Sequence, residues 1–357
     1  MWVADMDFAC APEIVNALQA RAAHPVYGYT YATQEATRAM LDFMARRHDL
    51  VLTPEEQLML PCVITGLRAA VLTLTQPGDK VIVQSPVYGP FYASIEENQR
   101  QVADCPLRRL PQGGYEMDLE AVRAACQSGA KLMLLCNPHN PVGHAWSESE
   151  LRALWEVLKE YGVALVSDEI HEDFVYAKGG FTPMLRLIQD GNAPLLSLTS
   201  ASKTFNLAGL QQAALFTRNQ KLKEAISQLL HRVGVVEGNL FAMTATEAAF
   251  REGDAWLDGL LGYLRQGEAL LRREAATRLP EAVLSPLNAT YLAWMDLRAY
   301  GMTTEELNQR THAAGVAFTP GTFFGRESGE GFLRVNFACP HQQITEAMKR
   351  LEKAVKG

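Results

Sequence analysis

Residues 131–171 read KLMLLCNPHNPVGHAWSESELRALWEVLKEYGVALVSDEIH. The stretch opens on an unbroken apolar run, Leu132 to Cys136, and closes on a second, Val163 to Val166. Continuous rather than alternating apolar runs are what strands buried on both faces require. Between the runs, Ser147 and Glu150 stand at the spacing of a capping box. They precede Leu151, Leu154, Trp155 and Leu158, which repeat at helical spacing. Gly162 then ends the pattern, where a residue tolerant of the left-handed region closes a helix. Strand, helix and strand in this order form a right-handed crossover, which predicts a mostly parallel sheet with helices on its faces.

The alternation extends both ways from this unit. Lys80-Val-Ile-Val-Gln84 precedes it; Pro194-Leu-Leu-Ser-Leu-Thr199 and Gln212-Ala-Ala-Leu-Phe216 follow it. The final third reads differently. A long helix is expected over Trp256–Leu279, strands over Thr290–Asp296 and Phe332–Phe337, and helices over Thr304–Gly315 and from Gln342 onward. A glycine-rich loop spans Pro320–Gly331. The expected fold class is α/β: a large domain over residues 25–260, and a smaller α+β domain made of residues 1–24 together with 261–357.

Length and composition bound the function. The chain has 357 residues, 48% of them hydrophobic and 20% charged, which excludes disordered, fibrous and repeat architectures. A net charge of −7 with no basic stripe argues against nucleic acid and against an anionic membrane surface. No apolar run approaches the roughly 18–20 residues of a membrane span, and the first residues lack the basic and apolar regions of a signal peptide. The six cysteines form no C-x-x-C pair and no zinc-spaced set with histidine, so reduced thiols in a cytoplasm and no metal are expected. The expected partner is a small molecule.

In an open parallel sheet, ligands bind beyond the carboxyl ends of the strands. The four segments that follow predicted strands are Ser85-Pro-Val-Tyr88, Asn137-Pro-His-Asn140-Pro-Val-Gly143, Asp168-Glu-Ile-His171 and Ser200-Ala-Ser-Lys203. One edge thus collects an aromatic ring, amides, a carboxylate, an imidazole, hydroxyls and an amine. Such a set suits pyridoxal 5′-phosphate, which needs a lysine for its Schiff base, a carboxylate against its ring nitrogen, an aromatic face and donors for its phosphate. Ser200-x-x-Lys203 also has the spacing of serine β-lactamases, yet neither Ser-Asp-Asn nor Lys-Thr-Gly accompanies it.

These segments, with Lys203 continued by Thr-Phe-Asn206, resemble the motifs of fold-type I pyridoxal-phosphate enzymes of the aminotransferase class I/II superfamily. Trp2-Val-Ala-Asp-Met-Asp-Phe8, His24-Pro-Val-Tyr-Gly-Tyr29 and Tyr291-Leu-Ala-Trp-Met-Asp-Leu-Arg298 resemble its C–S lyase (cystathionine β-lyase) branch. The resemblance runs over nearly the whole chain. It implies Lys203 as the Schiff-base lysine and the group that moves the substrate Cα proton. It implies Asp168 at the pyridine nitrogen, Asn140 at the phenolic oxygen with His171 nearby, and Tyr88 stacked on the ring. Ser200 and the backbone amides near Ile64 and Thr65 are implied to hold the phosphate, and Arg334 to hold the α-carboxylate of an amino-acid substrate. Tyr29, or Tyr27 in its place, is implied to reach the neighbouring subunit's phosphate in a homodimer with shared active sites.

Family members carry an arm ahead of the Trp2–Phe8 segment, with which this sequence almost begins. Aminotransferases of this type carry an arginine eight residues past the lysine, where this sequence has Gln211. The implied activity is therefore β-cleavage of L-cystathionine or a related cysteine S-conjugate to a thiol, pyruvate and ammonia. The alternatives are an aminotransferase acting on an amino acid and a 2-oxo acid, and a non-catalytic regulator.

Overall fold

The computed structural model describes residues 1–176, 180–235 and 238–357. Seven strands form the large sheet: β1 (Gln57–Leu60), β2 (Lys80–Val83), β3 (Gln101–Asp104), β4 (Leu132–Cys136), β5 (Ala164–Asp168), β6 (Leu195–Thr199) and β7 (Ala213–Phe216). Their spatial order is β1-β7-β6-β5-β4-β2-β3. The run from β3 to β6 is parallel. Strand β7 is reversed, antiparallel to both β6 and β1. The segment joining β6 to β7 holds only a four-residue helix and a 3₁₀ turn, so the chain folds back beside β6 instead of crossing the sheet face.

The continuous apolar runs are explained by two cores. Leu132, Leu134, Cys136, Val166 and Leu198 face one of them. Their neighbours Met133, Leu135, Leu165 and Leu195 face the other. Because side chains alternate across a strand, a sheet covered on both sides makes every position apolar. The edge strands β1 and β3 escape sequence reading because each is four residues long: Gln57-Leu-Met-Leu60 has only three apolar residues, and Gln101-Val-Ala-Asp104 has polar residues at both ends.

Nine helices bear on the site or its frame: α1 (Pro12–Ala23), α2 (Gln34–His48), α3 (Val63–Leu74), α4 (Glu148–Glu160), α5 (Ala201–Thr204), α6 (Leu240–Glu252), α7 (Asp254–Arg278), α8 (Thr304–Ala313) and α9 (His341–Lys356). Helix α4 begins at the expected capping box: Ser147 Oγ accepts from Glu150 N, and Glu150 Oε2 accepts from Ser147 N at 2.8 Å. A second, antiparallel sheet has the order β8-β9-β11-β10, from β8 (Val283–Leu284), β9 (Leu292–Asp296), β10 (Thr319–Pro320) and β11 (Phe332–Asn336). Helices α7 and α9 pack together beside it.

The leading residues form an extended strap. Asn336 Nδ2 donates to the carbonyls of Val3 and Asp5 at 2.6 Å, and Asp7 N donates to Ala338 O at 3.0 Å. From the other side, Asn206 brackets Met6, accepting from its N–H at 3.0 Å and donating to its carbonyl at 2.8 Å. Helix α1 then packs against α6.

Candidate active site

At the carboxyl edge of β4, β5 and β6 lies a cleft, open at its mouth and lined by Ile64, Tyr88, Asn140, Asp168, His171, Ser200 and Lys203. Seven of the ten predicted site residues therefore meet there although they lie far apart in the chain.

Six of the seven lie at or just past a strand end, and Ile64 lies in the first turn of α3. Asp168 is the last residue of β5, in register with Cys136 of β4 and Leu198 of β6. Its carboxylate is buried and, among the described residues, accepts a single hydrogen bond, from Ile170 N at 3.2 Å. Burial pushes its pKa up to about 7, against the pull of the Ile170 N–H and the Lys203 charge. Lys203 sits in the single turn α5, half-buried, its Nζ donating to Ala4 O at 2.6 Å. Burial, reinforced by Arg334, lowers the amine to about 8, while Asp5 and Asp168 pull it back.

His171 follows β5 and is fully enclosed, edge-on to Tyr291 with ring centroids 5.8 Å apart. Burial first, then Lys203 and Arg334, lower it to about 3, so its imidazole is neutral at physiological pH. Its Nδ1 has no hydrogen-bond partner among the described residues. Tyr88 follows β2, and burial together with Asp168 raises its phenol.

Arg334, at the centre of β11 opposite Trp294 and Thr319, lies immediately behind Asn140. Its Nη1 donates to Asn140 Oδ1 at 3.2 Å, and its Nη2 to Trp2 O at 2.8 Å and Thr319 Oγ1 at 3.1 Å. The guanidinium lies over Phe324, 5.0 Å from the ring centre. Its Nε is buried without a partner, and burial lowers its pKa to about 10. Among the described residues no carboxylate forms an ion pair with it, so it is not the structural salt bridge that an interior arginine usually signals.

The remaining candidates are placed less simply. Helix α3 begins at Cys62, which supplies no side-chain cap, so the N–H groups of its first turn have no helical partner. Ile64 borders the cleft. Thr65 is not among its lining residues, and its Oγ1 lies 3.3 Å from Cys62 Sγ. Ser200 Oγ is engaged within its own loop, accepting from Ser202 N at 3.0 Å and donating to Gln212 O at 2.5 Å. Tyr29 lies outside the cleft of its own chain and is 93% exposed. Tyr27 packs on Phe241.

Sequence reading passed over several lining groups. Ser202 was visible as the second hydroxyl before Lys203. Gln212 also lines the cleft, next to Gln211, the residue that stands where aminotransferases carry arginine and that adopts a positive φ of 57°. The Ala4 carbonyl, which accepts from both Lys203 and Tyr291 (3.0 Å), has no side-chain signal at all.

This donor set fits the pyridoxal phosphate that the motifs imply. Asp168 is a buried carboxylate short of donors, as a protonated ring nitrogen requires. Lys203 is a desolvated amine in the same cleft. The uncapped start of α3 offers N–H groups to a phosphate.

Comparison with known proteins agrees with this reading. The profile of the family "Aminotransferase class I and II" matches residues 3–351. Cystathionine beta-lyase PatB of Bacillus subtilis is 38% identical over 357 residues, covering 99% of this chain and 92% of PatB. The structure of cystalysin from Treponema denticola, which contains pyridoxal 5′-phosphate, superposes with a TM-score of 0.96 at 29% identity, covering 100% of this chain and 90% of that one. The PLP-bound C–S lyase of Staphylococcus hominis superposes with a TM-score of 0.93 at 30% identity, covering 100% and 91%. With the fold, the cleft and these likenesses in agreement, the chain belongs to the aminotransferase class I and II family.

Proposed function

We propose that this protein is a pyridoxal-phosphate-dependent C–S β-lyase that cleaves L-cystathionine or a related cysteine S-conjugate to a thiol, pyruvate and ammonia. One juxtaposition carries the reading: the Lys203 amine and the Asp168 carboxylate line one cleft, backed by Arg334, a buried cation with no carboxylate partner among the described residues.

When bound, the cofactor supplies an aldehyde that joins amines and a ring that withdraws electrons from the attached amino acid. Arg334 takes the substrate α-carboxylate in a forked contact. Lys203, with a pKa near 8, is partly neutral at physiological pH and takes the proton from the substrate Cα. Asp168 keeps a proton on the ring nitrogen. Tyr88 covers the ring and excludes water. His171 stays neutral and does not compete with Lys203 for the proton. Gln211 presents a neutral amide to the cleft where aminotransferases of this type have arginine, which favours cleavage over amino transfer.

The same reading extends to a homodimer in which Tyr29, exposed on its own chain, completes the partner's phosphate site. It also extends to a division into a large domain (25–260) and a small one (1–24 with 261–357), and to a cytoplasmic location. Six cysteines without disulfides are compatible with that compartment, and none of the described helices is long and apolar enough to cross a membrane. The deciding assay supplies L-cystathionine to the cofactor-loaded protein without any 2-oxo acid. Pyruvate release is the expected result. Product that forms only when an acceptor is added would convert the reading to an aminotransferase. No turnover in either case, with cofactor bound, would point to a regulator.

A further inference from the structure

Helix α5 carries Lys203 and is one turn long, four residues. A single turn gains too little from its own hydrogen bonds to hold a side chain still, so its placement depends on anchors outside it. Ser200 caps its start. At its end, Thr204, the residue after Lys203, is buried and donates from Oγ1 to Asp173 Oδ2 at 2.6 Å. The other oxygen of that carboxylate, Oδ1, lies 2.9 Å from Nε2 of His48, the last residue of α2. The Asp173 and His48 side chains are only 2% and 5% exposed. Asp173 itself stands five residues past Asp168, in the turn that leaves β5.

We propose that Asp173 is a positioning residue. Its carboxylate bridges Thr204 and His48 and so fixes the Lys203 turn relative to the strand end that presents Asp168. The inference rests on the assignment of Lys203 as the lysine that joins the cofactor. It adds a bridge three side chains long that touches neither substrate nor cofactor. Both carboxylate oxygens are occupied, so loss of either partner leaves a buried lone pair unsatisfied and frees one end of the bridge. Glu172 lies alongside and accepts from Thr199 Oγ1; ligating atoms of His48, Glu172 and Asp173 all fall within 4.8 Å of one another.

The test uses Thr204→Val, which removes the hydroxyl and keeps the shape, Thr204→Ser, which restores it, and Asp173→Asn. Cofactor-stripped protein is mixed with pyridoxal phosphate. Covalent capture is followed by visible absorbance and by borohydride trapping with peptide mapping at Lys203, and steady-state kinetics are measured on the reloaded enzyme. Thr204→Val and Asp173→Asn should slow capture and lower kcat by up to about a hundredfold, the scale of a reacting group misplaced by about 1 Å. KM should stay within about twofold, Thr204→Ser should recover, and the double variant should be no worse than the poorer single one. If Asp173→Asn does not fold, Thr204→Val still decides.

Capture at the wild-type rate in Thr204→Val, or losses that multiply in the double variant, would overturn the bridge while leaving the role of Lys203 intact. Absence of label at Lys203 in the wild type would overturn both. A stoichiometric metal ion whose removal by chelator reproduces the Asp173→Asn defect would also overturn it, since an ion and not a direct hydrogen bond would then join these side chains.

Discussion

Replacing Arg334 with methionine separates two roles that a buried arginine can have. Arg334 is 4% exposed, and among the described residues its guanidinium is held only by neutral acceptors: Asn140 Oδ1, Trp2 O and Thr319 Oγ1. Its pKa, lowered from 12.5 to about 10 chiefly by burial, means that the charged form is disfavoured by about 3 kcal/mol relative to water. An arriving α-carboxylate relieves that cost and makes charge-assisted hydrogen bonds. Removing one partner of a buried charge pair costs about 2–5 kcal/mol. At about 1.4 kcal/mol per factor of ten, kcat/KM for L-cystathionine should fall between roughly thirtyfold and a few thousandfold, mainly through KM.

Stability should move differently. Methionine keeps an apolar stem of similar length over Phe324 and removes a charge that no carboxylate among the described residues balances, while leaving the acceptors of Asn140, Trp2 and Thr319 without that donor; the two effects oppose each other, so the thermal midpoint of the cofactor-loaded protein should change little. A structural arginine would give the opposite pair of results. Unchanged KM together with a large drop in melting temperature would refute the reasoning.

Lys203→Ala should abolish turnover while the protein still binds the cofactor non-covalently; residual β-elimination at the wild-type rate, or borohydride label on another lysine, would contradict its role. Tyr29→Phe should be impaired alone but complement Lys203→Ala in mixed dimers, because one of the two sites then has both native residues; mixtures no more active than the separate variants would show that Tyr29 does not act across subunits. His139 is fully buried, and burial lowers it to about 4. Its neutral form favours the folded state at pH above 6.5, and this contribution, about 3 kcal/mol, is lost as pH falls from 6.5 to 4. Asp168 and Glu169, raised to about 7 by burial, act in the opposite direction over much of that range, so the readout is a difference. His139→Gln should gain stability relative to wild type as pH drops from 7 to 5 in urea unfolding, and a difference independent of pH would refute the assignment.

Much of the molecule was legible before its structure was known. Apolar runs, the Ser147–Glu150 box and the Gly162 stop are local signals, and each fell on the predicted element. The rule that ligands bind at strand ends then selected four segments, and the family resemblance picked out Tyr88, Asn140, Asp168, His171, Ser200 and Lys203 within them, all of which line one cleft. Strands β1 and β3 were not legible, because four residues of which only two or three are apolar carry too short a signal. Nor was the reversal of β7, which depends on where the returning chain finds an open sheet edge.

What the chain dictated by itself is therefore its alternation of elements and the inventory of chemical groups at the sheet's carboxyl edge, since periodicity, caps and strand-end positions are properties of short segments. Only the tertiary structure decided that Lys203 donates to the Ala4 carbonyl 199 residues away, and that Arg334 meets Asn140 across 194 residues without a carboxylate in between. The same holds for Asp173, which joins His48 to Thr204. Such partners are chosen by which surfaces the packed sheets bring together. A main-chain carbonyl or a vacant ion-pair position leaves no mark on the local sequence pattern.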